Sequence, residues 1–291
     1  SLNDKIKKLD DEVIVYPAHG PGSACGKNIG KETWSTIGHQ KKTNYALQIT
    51  SKDKFISAVT DGLNAPPQYF FKDAMINKNG YNTIDSVMTR NTKALSVNEF
   101  KKEVAAGALI LDTRISDTFE KEFISGSLNI GLNGTYAVWV GTLIDINRAL
   151  VIVAEEGKEY ESILRAARVG YENVKGFLKG GISAWKNSGN EIHAITSITP
   201  QDFADKVIAG KQNIIDVRKI SEYNNGHVKG ATLLELSTLP ENLNALDKNK
   251  TYFVHCAGGY HSMIAASLMK ANGFNNLFNI YGGFGKIKET K

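Results

Sequence analysis

The sequence contains little cysteine: only Cys25 and Cys256 among 291 residues. That excludes a disulfide framework and a zinc site built from cysteine sulfur. An unpaired thiol is at home in a reducing compartment. No apolar run approaches the ~18–20 residues of a membrane span. Lys5, Lys7, Lys8 and Asp10 break up the first residues, so a secretory leader is not expected. No block of five like charges occurs, although 35 basic against 30 acidic residues leave a net charge of +5. An arm for nucleic acid or a membrane surface is therefore not expected either. A cytoplasmic protein is the resulting expectation. The sequence leaves oligomeric state open and admits a homo-oligomer. The composition, 42% hydrophobic and 22% charged, is that of an ordinary globular chain, and the length suits two or three domains. There is no initiating Met, and the apolar strand Val13-Ile14-Val15-Tyr16 comes early. Both suggest that the chain starts inside something larger.

What is present is an internal repeat. Ser96-Val97-Asn98-Glu99-Phe100 is echoed by Thr199-Pro200-Gln201-Asp202-Phe203, and Leu109 to Arg114 by Asn213 to Arg218. Ser125-Gly126-Ser127 corresponds to Lys229-Gly230-Ala231, and Leu150 to Ala154 to Tyr252 to Cys256. Gly170 to Val174 matches Gly273 to Leu277, and Gly180-Gly181 matches Gly282-Gly283. The order holds throughout at offsets of 102 to 104 residues. Within each copy, short apolar runs (108–111, 150–153; 214–217, 251–255) suit strands buried on both faces. Helix signals alternate with them: Ser96 with Glu99 as a capping box, Thr199-Pro200 at a helix start, and Asn272-Gly273 as a stop. Strands interleaved with helices predict α/β folds, each a parallel sheet with helices on both faces. Linkers are expected over 88–94 and 189–198. Helices are expected over about 31–46 and 53–61, with Ala65-Pro66-Pro67 as a break.

The strongest chemical candidate is Cys256-Ala257-Gly258-Gly259-Tyr260-His261-Ser262. It follows a strand run and opens a helix, and ligands of parallel sheets bind at such carboxyl ends. A helix N-terminus favours thiolate, and two glycines let successive N–H groups curl into an anion nest. The competing reading is a buried structural thiol followed by a turn. His255, adjacent in the strand, is expected on the opposite face from Cys256 and is a poor general base. Gly20 and Gly22 lack the rest of a dinucleotide fingerprint. Tyr69-Phe70-Phe71, Tyr281 and Phe284 are expected in the core.

Both repeats resemble rhodanese (thiosulfate sulfurtransferase) domains. The resemblance is carried by Asp216-Val217-Arg218, by Gly226-His227-Val228-Lys229-Gly230-Ala231, and by a loop running from Cys256 to His261. It implies that Cys256 is the catalytic nucleophile and carries sulfane sulfur as a persulfide. Ala257, Gly258, Gly259, Tyr260, His261 and Ser262 would hold the substrate, with Arg218 steering it or, paired with Asp216, buttressing the loop. His227 is expected beside that pair. The partners implied are small-molecule sulfur donors (thiosulfate or a low-molecular-weight persulfide) and thiol or sulfite acceptors. Many family members end the loop with Arg where this chain has His261. The first copy has Ala154 at the cysteine position and Glu155-Glu156-Gly157-Lys158-Glu159 behind it, so it is expected to be catalytically inactive. A Cys-based phosphatase needs Cys-x5-Arg, whose guanidinium clamps phosphate; here the seventh position is Ser262. A non-catalytic sulfur carrier or interaction scaffold is the alternative function.

The segment ahead of the repeats carries Tyr16-Pro17-Ala18-His19-Gly20-Pro21-Gly22-Ser23-Ala24-Cys25-Gly26, then Ser35-Thr36-Ile37-Gly38 and Asn44-Tyr45-Ala46-Leu47. It resembles the end of a metallo-β-lactamase-fold domain of the persulfide dioxygenase type. The resemblance implies an αββα remnant over 1–90, an inactive rhodanese-like domain over 91–195 and an active one over 196–291. It implies no cofactor in this chain and no metal ligand set, with iron or zinc only in a complete metallo-β-lactamase-like domain. His19 alone cannot hold a metal. Cys25 reads as a structural thiol or, more pointedly, as a receiver of persulfide sulfur.

Overall fold

The computed structural model describes residues 2–19, 31–61, 69–208, 210 and 212–290. Cys25 and Gly20 to Gly22 lie outside them. The chain divides into two units, Ser1–Pro66 and Pro67–Lys291.

In the first unit, β1 (Ile14–Val15) pairs antiparallel with β2 (Ser35–Thr36), Ile14 opposite Thr36. Three short helices follow, Ile37–Thr43, Tyr45–Gln48 and Lys52–Thr60. Each begins at a residue whose side chain accepts an amide hydrogen bond: Thr36, Asn44 and Ser51. Asn44 also explains why the helix expected across 31–46 is split. Its backbone is extended, and its side chain caps the next turn. The strand expected to be buried is not: Ile14 is 52% and Tyr16 75% exposed. A two-residue ladder covers neither face of its strand.

The second unit opens with the helices Tyr69–Asn79 and Ile84–Asn91. A five-stranded sheet then forms from β3 (Ala94–Leu95), β4 (Leu109–Asp112), β5 (Leu128–Asn129), β6 (Leu150–Val153) and β7 (Val174–Leu178). A second sheet forms from β8 (Thr196–Ile198), β9 (Asn213–Asp216), β10 (Thr232–Leu233), β11 (Tyr252–His255) and β12 (Leu277–Ile280). The spatial orders are β3-β7-β6-β4-β5 and β8-β12-β11-β9-β10, one topology used twice. All pairings are parallel, with Leu109 opposite Leu150 in one sheet and Asn213 opposite Tyr252 in the other. The four apolar runs all become strands, each within one residue of expectation.

Two expected linkers are structured instead. The helix Ile84–Asn91 and β3 occupy 88–94. In 189–198, His193 bridges Phe123 and β8 adds an edge to the second sheet. Polar sequence hides both, because edge strands need little apolar content.

Each sheet buries one face in a core of its own, around Phe100 and Val153 in the first repeat and around Phe203 and Phe253 in the second. The remaining apolar faces meet in a common core. Leu111, Ile152 and Tyr136 of the first repeat cluster there with Ile215, Val254, Ile264 and Cys256 of the second. Cross-repeat hydrogen bonds reinforce it: Ser267 Oγ accepts from Asn129 N at 2.9 Å, and Tyr260 Oη donates to Gly131 O at 2.8 Å. Gly134 is required there, since a Cβ would lie 2.3 Å from the Tyr260 ring.

The aromatic residues expected in the core divide differently. Phe70 and Phe71 are 59% and 68% exposed, and Tyr281 is 52% exposed. Apolar identity alone does not say which side of a short helix or strand end faces inward. Among the described residues, no helix is long and apolar enough to cross a membrane.

Candidate active site

Cys256 follows β11 directly, and Gly259, at φ +110°, turns the chain into the helix Tyr260–Ala271. The loop is pinned from behind by the second glycine pair. Gly282 and Gly283 have φ of +72° and +60°, and Phe284 N donates to Cys256 O at 2.6 Å. A Cβ on Gly283 would lie 2.4 Å from Cys256 O, so only glycine permits this approach.

The Gly259 amide donates to Cys256 Sγ at 3.1 Å. Ser262 Oγ lies 3.6 Å from the sulfur, 2.7 Å from Asn279 Oδ1 and 3.0 Å from Gly259 O. Cys256 itself is 2% exposed. The sulfur is thus not presented at a mouth, as the sequence suggested. It sits in the common core under the Gly258–Gly259 backbone. That backbone lines a cleft of about 300 Å³ together with Ile115, Asp117, Glu120 and Asn133 of the first repeat and Tyr260, Met263, Asn279 and Tyr281 of the second. Ala257 and Gly258 face outward, and Ser262 is fully buried.

His261 does not supply the cation that an anion site wants. Its ring meets Trp139 of the first repeat edge-on at 4.8 Å, and burial pushes its pKa below the ordinary 6.5. The imidazole is neutral at pH 7. Burial also pushes the Tyr260 phenol up to about 12, leaving it a hydrogen-bond donor.

Arg218 is committed elsewhere. Its Nη2 lies 2.6 Å from Asp216 Oδ2 and donates to Gly226 O at 2.9 Å, and its guanidinium stacks 4.0 Å from the Phe284 ring centre. The hydrogen bond to Asp216 raises its pKa further. Arg218 is 5% exposed and does not line the cleft. Of the two roles expected for Arg218, this geometry fits the buttress, holding Phe284 and the end of β9, and not the steering of substrate. His255 completes this group on the face away from the sulfur, with Nε2 3.8 Å from Asp216 Oδ2. Burial lowers its pKa and keeps it neutral. His227, expected there, is instead exposed and stacked on Tyr223 at 3.8 Å. Its neighbour Gly226 reaches the pair through a backbone carbonyl.

The equivalent place in the first repeat keeps the frame and has no cysteine. Arg114 meets Asp112 at 2.6 Å and Glu122 O at 2.8 Å. Ala154 stands where the cysteine would be. A cleft of about 210 Å³ there is lined by Glu155, Lys158 and Glu161, and Lys158 pairs with Glu161 at 2.9 Å. His19 is exposed, and no three His, Cys, Asp or Glu side chains among the described residues come together as metal ligands. The described residues therefore do not fit a metal centre.

Sequence reasoning missed Asn279, Ser197, Glu120 and Trp139. Asn279 had a visible signal, a polar residue inside the apolar run Leu277–Ile280. The others acquire meaning only through contacts between elements distant in sequence.

With this geometry in view, comparison with known proteins is direct. The profile of the rhodanese-like domain matches residues 96–188 and 199–290. The chain belongs to the rhodanese-like domain family and carries the domain twice. It is 35% identical over 85 residues to YqhL of Bacillus subtilis (28% of this chain, 68% of that protein). It is 32% identical over 77 residues to the thiosulfate sulfurtransferase GlpE of Stutzerimonas stutzeri (26% and 71%). The chain spans 60 to 71% of the length of three such curated relatives. A solved structure named as a metallo-beta-lactamase from Staphylococcus aureus is 24% identical, with a TM-score of 0.45, and covers 60% of this chain and 47% of its own.

Proposed function

We propose that the protein is a rhodanese-type sulfurtransferase that moves sulfane sulfur through a persulfide on Cys256. The observation that carries the reading is the Cys256 sulfur under a glycine loop, held at 3.1 Å by the Gly259 amide at the head of a helix. That donor and the helix N-terminus both favour a negatively charged sulfur. In the first step the Cys256 thiolate attacks the outer sulfur of a donor R–S–S⁻. The S–S bond of the donor breaks, R–S⁻ leaves, and Cys256–S–S⁻ remains. A second thiol or sulfite then attacks the terminal sulfur and restores the Cys256 thiolate.

The cleft favours one of the two donors considered. Its charged lining residues are Asp117 and Glu120, both acidic, and His261 is neutral. Thiosulfate brings two negative charges to the group that must enter the cleft, whereas a persulfide R–S–S⁻ brings one, so the repulsion is weaker for the persulfide. The N-terminal unit is read as the tail of a metallo-β-lactamase-fold persulfide dioxygenase, whose sulfite product would be a natural acceptor. On this reading the chain serves sulfide detoxification, in the cytoplasm. The burial of Cys256 supports a second reading, a sulfur carrier that loads slowly and delivers to a partner.

The test is turnover with glutathione persulfide and with thiosulfate, for the parent and for Cys256→Ser, with mass spectrometry of Cys256 after donor treatment. The expected result is faster turnover with the persulfide and a loss on the order of 10³-fold or more in the variant. A stable adduct of one sulfur without turnover establishes the carrier. Equal turnover in Cys256→Ser removes Cys256 from the mechanism.

A further inference from the structure

Behind Cys256 runs an unbroken line of polar contacts that ends in the other repeat. Ser262 Oγ lies 3.6 Å from the sulfur and 2.7 Å from Asn279 Oδ1. Asn279 Nδ2 donates to Ser197 Oγ at 2.9 Å, and Ser197 Oγ donates to the carboxylate of Glu120. Ser262 and Asn279 are buried; Glu120 stands just past the helix Ser116–Phe119 of the first repeat and also lines the cleft.

The direction of every hydrogen bond follows from the carboxylate, which can only accept. Ser197 has one hydroxyl proton and gives it to Glu120, so its oxygen must accept from Asn279. The amide nitrogen of Asn279 then faces Ser197 and its oxygen faces Ser262. Ser262 meets two acceptors, Asn279 Oδ1 and Gly259 O, and its proton goes to one of them. What Ser262 offers the sulfur is a lone pair. That accepts a thiol proton and cannot stabilise a thiolate.

We propose that Glu120 is a positioning residue for Cys256: through Ser197, Asn279 and Ser262 it fixes the hydrogen-bond direction in which Ser262 accepts from the sulfur and does not donate to it. The inactive repeat thereby sets the resting state of the active one. This deepens the sulfurtransferase reading and rests on Cys256 being its nucleophile. An amide in place of the carboxylate can donate to Ser197, whose hydroxyl then turns to Asn279; Asn279 is free to turn its amide nitrogen toward Ser262, whose hydroxyl can donate to a thiolate in a charge-assisted bond. The other ionisable groups around the sulfur are the Asp216–Arg218 pair, His255, His261 and Tyr260; Asp117 shares the cleft with Glu120. None of these is hydrogen-bonded to Ser262, Asn279 or Ser197 among the described residues.

The experiment is the rate of Cys256 alkylation by iodoacetamide in the full chain as a function of pH. Peptide mapping by mass spectrometry separates Cys256 from Cys25. Glu120→Gln is expected to react roughly three- to tenfold faster at pH 7, the range of one hydrogen bond, with the half-maximal pH moved down. Ser197→Ala breaks the same line further along and is expected to act in the same direction. The double variant should add little, because both changes cut one chain. Parental pH profiles in both single variants would overturn the proposal, as would fully additive effects. Failure of the sulfurtransferase reading shows separately, as unchanged turnover in Cys256→Ser.

Discussion

The two repeats keep the same frame and differ in one loop. Each has a parallel sheet in the same strand order. Each has a buried Asp-x-Arg pair at 2.6 Å whose Arg also reaches a carbonyl eight residues on. Each has a glycine pair of positive φ behind the loop. The chemistry resides in six positions after β11, where the first repeat has alanine and glutamates. The frame is expensive to disturb because it is buried, and the loop is free to change because much of it is not. A repeat with alanine in place of the cysteine can therefore keep its fold. Here it also keeps a use, because Glu120, Trp139 and Gly131 form part of the surroundings of the surviving loop.

The equivalence of the frames can be broken most forcefully at the ion pairs. Arg114→Met and Arg218→Met each strand a buried carboxylate, an effect of about 3–5 kcal/mol. Both should lower the denaturant midpoint of a single shared transition, since the repeats have one common core. Retention of parental stability by one of the two variants would show that the frames are not equivalent.

A smaller and unequal effect is expected at the glycine pairs. Alanine at Gly181 or Gly283 meets the left-handed conformation, about 1–2 kcal/mol at either site. At Gly283 the new Cβ also strikes Cys256 O at 2.4 Å, whereas at Gly181 it approaches Ala154 O at 3.2 Å. Thermal melts should therefore show Gly283→Ala as the more damaging, and sulfur transfer should fall only there. Equal melts with equal activity would contradict the close approach.

The smallest effect concerns pH. His255 and His261 are buried with lowered pKa values, so as pH falls the unfolded chain takes up protons before the folded one. The stability they contribute is complete above about 6.5 and declines as pH drops below it. His261→Phe keeps a ring against Trp139 and removes one titration, so the slope of stability against pH should flatten by at most about one proton. An unchanged slope would mean that His261 binds its proton equally in the folded and unfolded chain.

Much of this was legible in sequence. The apolar runs 150–153 and 251–255 suit strands buried on both faces, and the capping residues Ser96 and Thr199 mark helix starts. Cys256 before Gly258-Gly259 announces its loop because glycine spacing is a backbone requirement. The N-terminal strand failed as a core prediction because burial depends on what covers a segment. Val13 and Tyr16 differ little in character from residues that are buried elsewhere.

Sequence by itself thus determined the repeat, the strand-and-helix order, the position of the cysteine loop and the alanine that stands at the equivalent place, Ala154. These depend on local geometry and on periodicity, which neighbours in the chain impose. Tertiary structure alone decided that the thiol is buried, that Arg218 stays out of the cleft, that His261 is neutral, and that a glutamate more than a hundred residues away closes the line behind the sulfur. Those properties depend on desolvation and on which partner a donor finds, and both are settled only when distant elements pack together.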